Sequence, residues 1–127
     1  MITMSFGTAI NCMDGRVQLP VMEYAKERFG VRYVDMITEP GPNLILAKQT
    51  DRNAVASILR RVELSVTAHE SKGIVVAGHE DCAGNPADKP EQILHLREAL
   101  RVLGQRFGSV ELVAIWVSLD GGVEEVE

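Results

Sequence analysis

Five residues in two short blocks can carry chemistry together. Cys12, Asp14 and Arg16 stand at alternate positions in Cys12-Met13-Asp14-Gly15-Arg16, and His79 and Cys82 are three apart in His79-Glu80-Asp81-Cys82. Thiolate sulfur and imidazole nitrogen are donors that Zn2+ favours. Structural zinc sites use four protein ligands, whereas catalytic sites commonly use three and keep a position for water. The chain has only two cysteines, so Cys12, His79 and Cys82 make a set of three that suits an open site with one Zn2+ per chain. Such a centre is formally neutral. It acidifies bound water less than three histidines would, yet zinc hydroxide formed near neutral pH is a nucleophile for a small electrophile. The same residues have a plainer reading. Buried free cysteine is a common small hydrophobe, and a histidine at a strand end is often only hydrogen-bonded. A Cys12–Cys82 disulfide is disfavoured in a reducing compartment.

Asp14 and Arg16 can form a bidentate, charge-assisted pair. That would hold a carboxylate beside the metal, where it either accepts a hydrogen bond from bound water or replaces it. The alternative is an exposed loop salt bridge of little energetic weight.

The elements that must bring these blocks together alternate between strand and helix. Phe6–Ile10 is expected as a strand ending just before Asn11-Cys12. Pro20 can start a helix with Met22, Ala25 and Phe29 on its inner face, closed by Gly30. Tyr33–Ile37 is a second strand, and Pro40-Gly41-Pro42 is expected to forbid regular structure after it. Asp51 can cap a helix with Val55, Leu59, Val62 and Val66 on one face, with Gly73 as its stop. The apolar run Ile74–Ala77 suits a strand buried on both faces. Asp88, Pro90 and Glu91 then open a helix through a capping box. Ile93, Leu96, Leu100, Leu103 and Phe107 repeat along it to Gly108. Val110–Val117 is a fourth strand, Asp120-Gly121-Gly122 a turn, and Val123–Val126 a short strand antiparallel to the fourth.

This alternation predicts an α/β fold, a single domain over residues 1–127 with a mainly parallel sheet and helices on both faces. Chemistry in such sheets sits at the carboxyl ends of strands, which is where both blocks fall.

With 127 residues, one core is feasible. The net charge of −5 argues against nucleic acid or an anionic membrane as partner. Met1–Phe6 has no basic and apolar leader pattern, and no apolar run approaches the roughly 18 residues of a membrane span. A cytoplasmic protein with reduced thiols is expected. A phosphatase-like loop would need five residues between cysteine and arginine, and Cys12 and Arg16 have three between them. The deaminase and glycine-rich nucleotide-loop patterns are also missing.

Cys12-x-Asp14-x-Arg16 followed by His79-x-x-Cys82 resembles the signature of the β-class carbonic anhydrases. The resemblance implies Cys12, His79 and Cys82 as zinc ligands and Asp14–Arg16 as a catalytic dyad. It implies a four-stranded parallel sheet of order 2-1-3-4 with a further strand, and Val117–Val123 is similar to the family's late strand–turn–strand. It also implies reversible hydration of CO2 to bicarbonate by a zinc lyase that is a homodimer or larger homo-oligomer. Two other functions are open: hydrolysis of a CO2 analogue such as carbonyl sulfide or carbon disulfide, and a catalytically silent zinc-binding module.

The sequence departs from that pattern in three places. Cys12 comes almost at once, without the helices the family usually has before it. Thr38-Glu39-Pro40-Gly41-Pro42-Asn43 stands where the family has Arg-Asn-Ala-Gly, and Ala83 precedes Gly84 where a glycine normally follows the second cysteine. Glu39 is expected in a rigid turn, Glu80 and Asp81 as exposed loop carboxylates, Trp116 in the core or an interface, and neither His69 nor His95 as a ligand.

Overall fold

The computed structural model describes residues 4–127. Met1, Ile2 and Thr3, which belong to the stretch read for a leader, lie outside the described residues. The elements run β1 (Phe6–Cys12), α1 (Gln18–Phe29), β2 (Tyr33–Glu39), α2 (Pro42–Lys48), α3 (Arg52–Ala68), β3 (Gly73–His79), α4 (Lys89–Phe107), β4 (Glu111–Val117) and β5 (Val123–Val126). They form one five-stranded sheet of order β2-β1-β3-β4-β5. The first four strands are parallel and β5 is antiparallel to β4, as the resemblance implied.

Adjacent strand residues point to opposite faces, and each face has its own core. Ala9, Val75, Ala77, Val113 and Ile115 pack with Val21 and Ala25 of α1. Ile10, Ile74, Val76 and Ala114 pack with Leu46 of α2, Ile58 and Val62 of α3, and Leu96, Leu103 and Phe107 of α4. Strand β3 is buried along its whole length, which is why its sequence does not alternate. No helix among the described residues is long and apolar enough to cross a membrane.

Helix limits follow local chemistry. Asp51 accepts from the Ala54 N–H at 3.1 Å and Asp88 from the Glu91 N–H at 3.1 Å, each satisfying an orphan donor of a first turn. Gly30 closes α1 in the left-handed region, with φ of 62°.

Four expectations need correction. Regular structure does follow Pro40-Gly41-Pro42: α2 starts at Pro42 itself, because proline at the first helical position has its φ already set and no N–H to leave unpaired. Strand β1 runs on to include Cys12. Helix α1 begins two residues before Pro20, which sits within the first turn, and Val21 rather than Met22 is fully buried. Gly73 does not stop α3, which ends at Ala68. It opens β3, where a Cβ would lie 2.3 Å from the Phe29 ring.

One close approach bears on the site. The backbones of Gly41, before α2, and Gly84, in the loop after β3, touch. A Cβ on Gly84 would lie 2.3 Å from the Pro40 carbonyl carbon. Since backbone cannot step aside as a flexible side chain can, Gly84→Ala should lower stability by about 1–3 kcal/mol in a chemical denaturation curve. Gly15→Ala meets nothing within 4 Å and should change stability by less than about 0.5 kcal/mol.

Candidate metal centre

Cys12 is the last residue of β1 and His79 the last of β3. These strands are parallel neighbours, so their carboxyl ends lie on one edge of the sheet. The chain leaves β1 for β2 on one side and returns to β3 on the other. That reversal makes the β1–β3 gap a topological switch point, where open α/β sheets form crevices. Past His79 the chain turns through Asp81, in the left-handed region with φ of 56°, and brings Cys82 back. One potential donor atom from each of Cys12, His79 and Cys82 lies within 4.8 Å of the others, and all three residues are buried.

Two details bear on whether a metal fits. The Cys12 and Cys82 sulfurs are 3.8 Å apart and both cysteines are free. Two sulfurs each about 2.3 Å from one Zn2+ at the tetrahedral angle are separated by about 3.8 Å. His79 Nδ1 lies 2.7 Å from the Glu80 carbonyl oxygen. A carbonyl only accepts, so Nδ1 carries the proton and Nε2 presents its lone pair. Nε2 is buried with no hydrogen-bond partner. An orphaned buried nitrogen is costly in a protein that folds around nothing there, and it is the atom a metal-binding histidine would present when its other nitrogen is held by a carbonyl.

The second block forms as a tight local pair. Arg16 donates to Asp14 through its backbone N–H (2.9 Å), Nε (3.1 and 3.2 Å) and Nη2 (2.7 Å). The Arg16 side-chain hydrogen bonds, then its backbone N–H, hold the Asp14 carboxyl down at a pKa of about 2. Arg16 also reaches across to the other block. Its Nη2 donates to the Asp81 carbonyl oxygen at 3.2 Å and its Nη1 lies 3.4 Å from the Asp81 carboxylate. Asp81 is exposed, as expected, yet it joins the two blocks.

Sequence reasoning missed several supports. Gln18, the first residue of α1, donates from Nε2 to the carbonyls of Cys12 (2.6 Å) and Asp14 (2.8 Å), while its Oε1 accepts from Asn11 Nδ2 at 2.9 Å. The turn bearing Asp14 is therefore clamped from the helix. Asn85 donates its backbone N–H to Cys82 Sγ at 3.3 Å, and Gln92 donates to the His79 carbonyl at 3.0 Å. A glutamine at a helix start or on a helix face carries no local mark of such a role. The one available signal was that Gln92 and His95 stand one turn before Leu96 and Ala99, on the face that α4 buries.

The remaining residues lie elsewhere or have other partners. Glu39, expected in a turn, instead ends β2 because its backbone pairs in register with Cys12 of β1, and its carboxylate is paired with Arg61 of α3. Glu80 accepts from the Leu119 N–H at 2.9 Å and braces the turn after β4. His69, at the end of α3, pairs with Asp35 at 2.7 Å. His95 Nδ1 accepts from Asn85 Nδ2. Trp116 is nearly buried, with Lys89 over its ring.

Comparison with known proteins agrees with this architecture. The family model described as "Putative carbonic anhydrase" matches residues 2–127. No curated protein matches the sequence. Among solved structures, the carbonic anhydrase from Streptococcus mutans is 18% identical, with 100% of this chain and 86% of that chain covered and a TM-score of 0.66. One of two tetrameric β-carbonic anhydrases from the filamentous ascomycete Sordaria macrospora is 16% identical, with 96% and 80% covered and a TM-score of 0.63. A carbon disulfide hydrolase in its apo form is 11% identical, with 94% and 78% covered and a TM-score of 0.61. At these identities the structural likeness speaks for the fold. The family match speaks for descent, and because it spans all but the first residue, the chain belongs to the family described as putative carbonic anhydrase, as a divergent member with the fold of the β-carbonic anhydrases.

Proposed function

We propose that this protein is a zinc-dependent lyase that hydrates CO2 reversibly to bicarbonate. The reading is carried by two observations: His79 Nε2 is buried and unpartnered, and one donor atom from each of Cys12, His79 and Cys82 lies within 4.8 Å of the others. These three residues would hold one Zn2+ per chain. Bound there, Zn2+ supplies the Lewis acidity that makes hydroxide available as a nucleophile near neutral pH.

The chain's own groups would do the rest. With a pKa of about 2, Asp14 stays ionised at neutral pH. It is too weak a base to hold the proton that hydration releases, so its part is to accept a hydrogen bond from the attacking water and orient it. Arg16 fixes that carboxylate from two directions. Asp14 is held by Arg16 and is not among the residues whose donor atoms converge, which favours an open site over a silent closed one.

Hydrolysis of carbon disulfide is a second reading, favoured by the carbon disulfide hydrolase among the structural neighbours. Both substrates are small, linear and electrophilic at carbon, so the same nucleophile serves either. A homodimer or larger homo-oligomer is part of the proposal. Its support is the tetrameric Sordaria relative and the exposed apolar side chains of Met13 and Leu19, which flank the dyad.

Elemental analysis should find one zinc per chain in the wild type and none in Cys82→Ala. Asp14→Ala should retain zinc but hydrate CO2 about 10²-fold or more slowly in stopped flow. One zinc per chain with no CO2 hydration at any pH would exclude the carbonic anhydrase reading, and carbon disulfide turnover by that protein would establish the second. Sedimentation should give at least two chains per particle; a monomer at micromolar concentration would remove the oligomer.

A further inference from the structure

Four polar side chains form one connected set beneath the Cys82 loop. Asn43, Asn85 and Gln92 are each 1% exposed and His95 is 6% exposed. Asn43 stands at the start of α2, Asn85 three residues past Cys82, and Gln92 and His95 on α4. Asn85 uses every polar atom it has. Its backbone N–H donates to Cys82 Sγ at 3.3 Å. Its Nδ2 donates to Asn43 Oδ1 at 3.3 Å and to His95 Nδ1 at 3.0 Å. Its Oδ1 accepts from the Ala87 N–H at 3.4 Å, and its carbonyl accepts from Gln92 Nε2 at 3.1 Å. Gln92 Oε1 in turn accepts from Asn43 Nδ2 at 3.2 Å. Because His95 accepts at Nδ1, its proton sits on Nε2. Burial lowers the pKa of the ring and so favours this neutral form.

Burying four polar side chains is costly unless every partner is present. Apolar residues would join α2 to α4 as well, with no demand on direction. Direction is what the polar set provides. It ties the loop to two helices, holds the His79 carbonyl through Gln92, and aims one N–H at the sulfur of Cys82. An N–H···S bond withdraws electron density from a thiolate, and such bonds tune metal centres.

We propose that Asn85 is a positioning residue of the metal centre: held by Asn43 and His95, it directs its backbone N–H at Cys82 Sγ and thereby sets how strongly that sulfur donates to the ion. This rests on Cys12, His79 and Cys82 being the ligands. The network explains why a loop lacking the family's usual glycine next to the second cysteine can still be rigid. Gly84 packs on Pro40-Gly41, and Asn85 locks into the helices on either side of that contact.

The test uses the whole chain loaded with Co2+ as an optical probe, and Zn2+ affinity measured by competition with a chromophoric chelator. In Asn85→Ala the sulfur-to-cobalt charge-transfer band should move to lower energy, and Zn2+ affinity at neutral pH should fall about 10–100-fold, because the loop is no longer held and a more basic thiolate lets protons compete with the ion. His95→Leu should shift both in the same direction. His95→Asn, which restores an acceptor near the Nδ1 position, should recover the wild-type band. A folded Asn85→Ala protein with unchanged band and affinity overturns the proposal. If that variant does not fold, a wild-type band and affinity in His95→Leu overturns it equally. A wild type that takes up neither ion refutes the ligand assignment and this inference together, whereas a wild type that binds both beside unchanged variants refutes the inference alone.

Discussion

The parallel pairing of β1 with β3 is the constraint on which the rest depends. Parallel strands end on the same edge, so any two residues that close neighbouring strands meet there without a special loop. Cys12 and His79 are those residues. The chain order adds to this. With β2 on one side of β1 and β3 on the other, the helix after β1 packs on one face and α2 and α3 on the opposite face. Open α/β sheets place their sites at such a reversal, and Cys12 and His79 end their strands there.

Burial then gives that edge its chemistry. The side chains of Cys12, His79 and Cys82 are nearly inaccessible, which makes an unpartnered nitrogen and two adjacent sulfurs expensive unless they share an ion. The dyad beside them is more exposed, and as a salt bridge it contributes little stability. Its weight lies in orientation. Arg16 donates to both oxygens of Asp14 and reaches the Asp81 backbone, so a residue between His79 and Cys82 is coupled to the turn that follows Cys12. Gln18 clamps that turn from α1, and Gln92 and His95 of α4 clamp the other loop through Asn85. The site is thus held by both helical layers, one on each face of the sheet.

The sequence departures find their account here. Where the family has Arg-Asn-Ala-Gly, the segment Pro40-Gly41-Pro42-Asn43 does two jobs. Gly41 lies against Gly84 at a distance no side chain would allow, and Pro42 starts a helix that places Asn43 against Asn85. A proline pair with an intervening glycine read as the end of regular structure, because local propensity alone does not distinguish a break from a helix start. Packing of Leu46 into the core beside α4 decided it.

The donor types, their spacing within each block, the strand–helix alternation, the caps at Asp51 and Asp88 and the parallel sheet were all legible in the sequence. Each follows from a residue's own chemistry or from a period of two or 3.6 along the chain. The convergence of Cys12 with a histidine and a cysteine far along the chain was legible only through strand placement. Which nitrogen of His79 is free, the part of Asp81 as a link, and the polar set of Asn43, Asn85, Gln92 and His95 were decided by tertiary structure. Hydrogen-bond partners are chosen by direction and distance to within a fraction of an ångström, and residues on different elements acquire those only when the sheet and its two helical layers have closed around them.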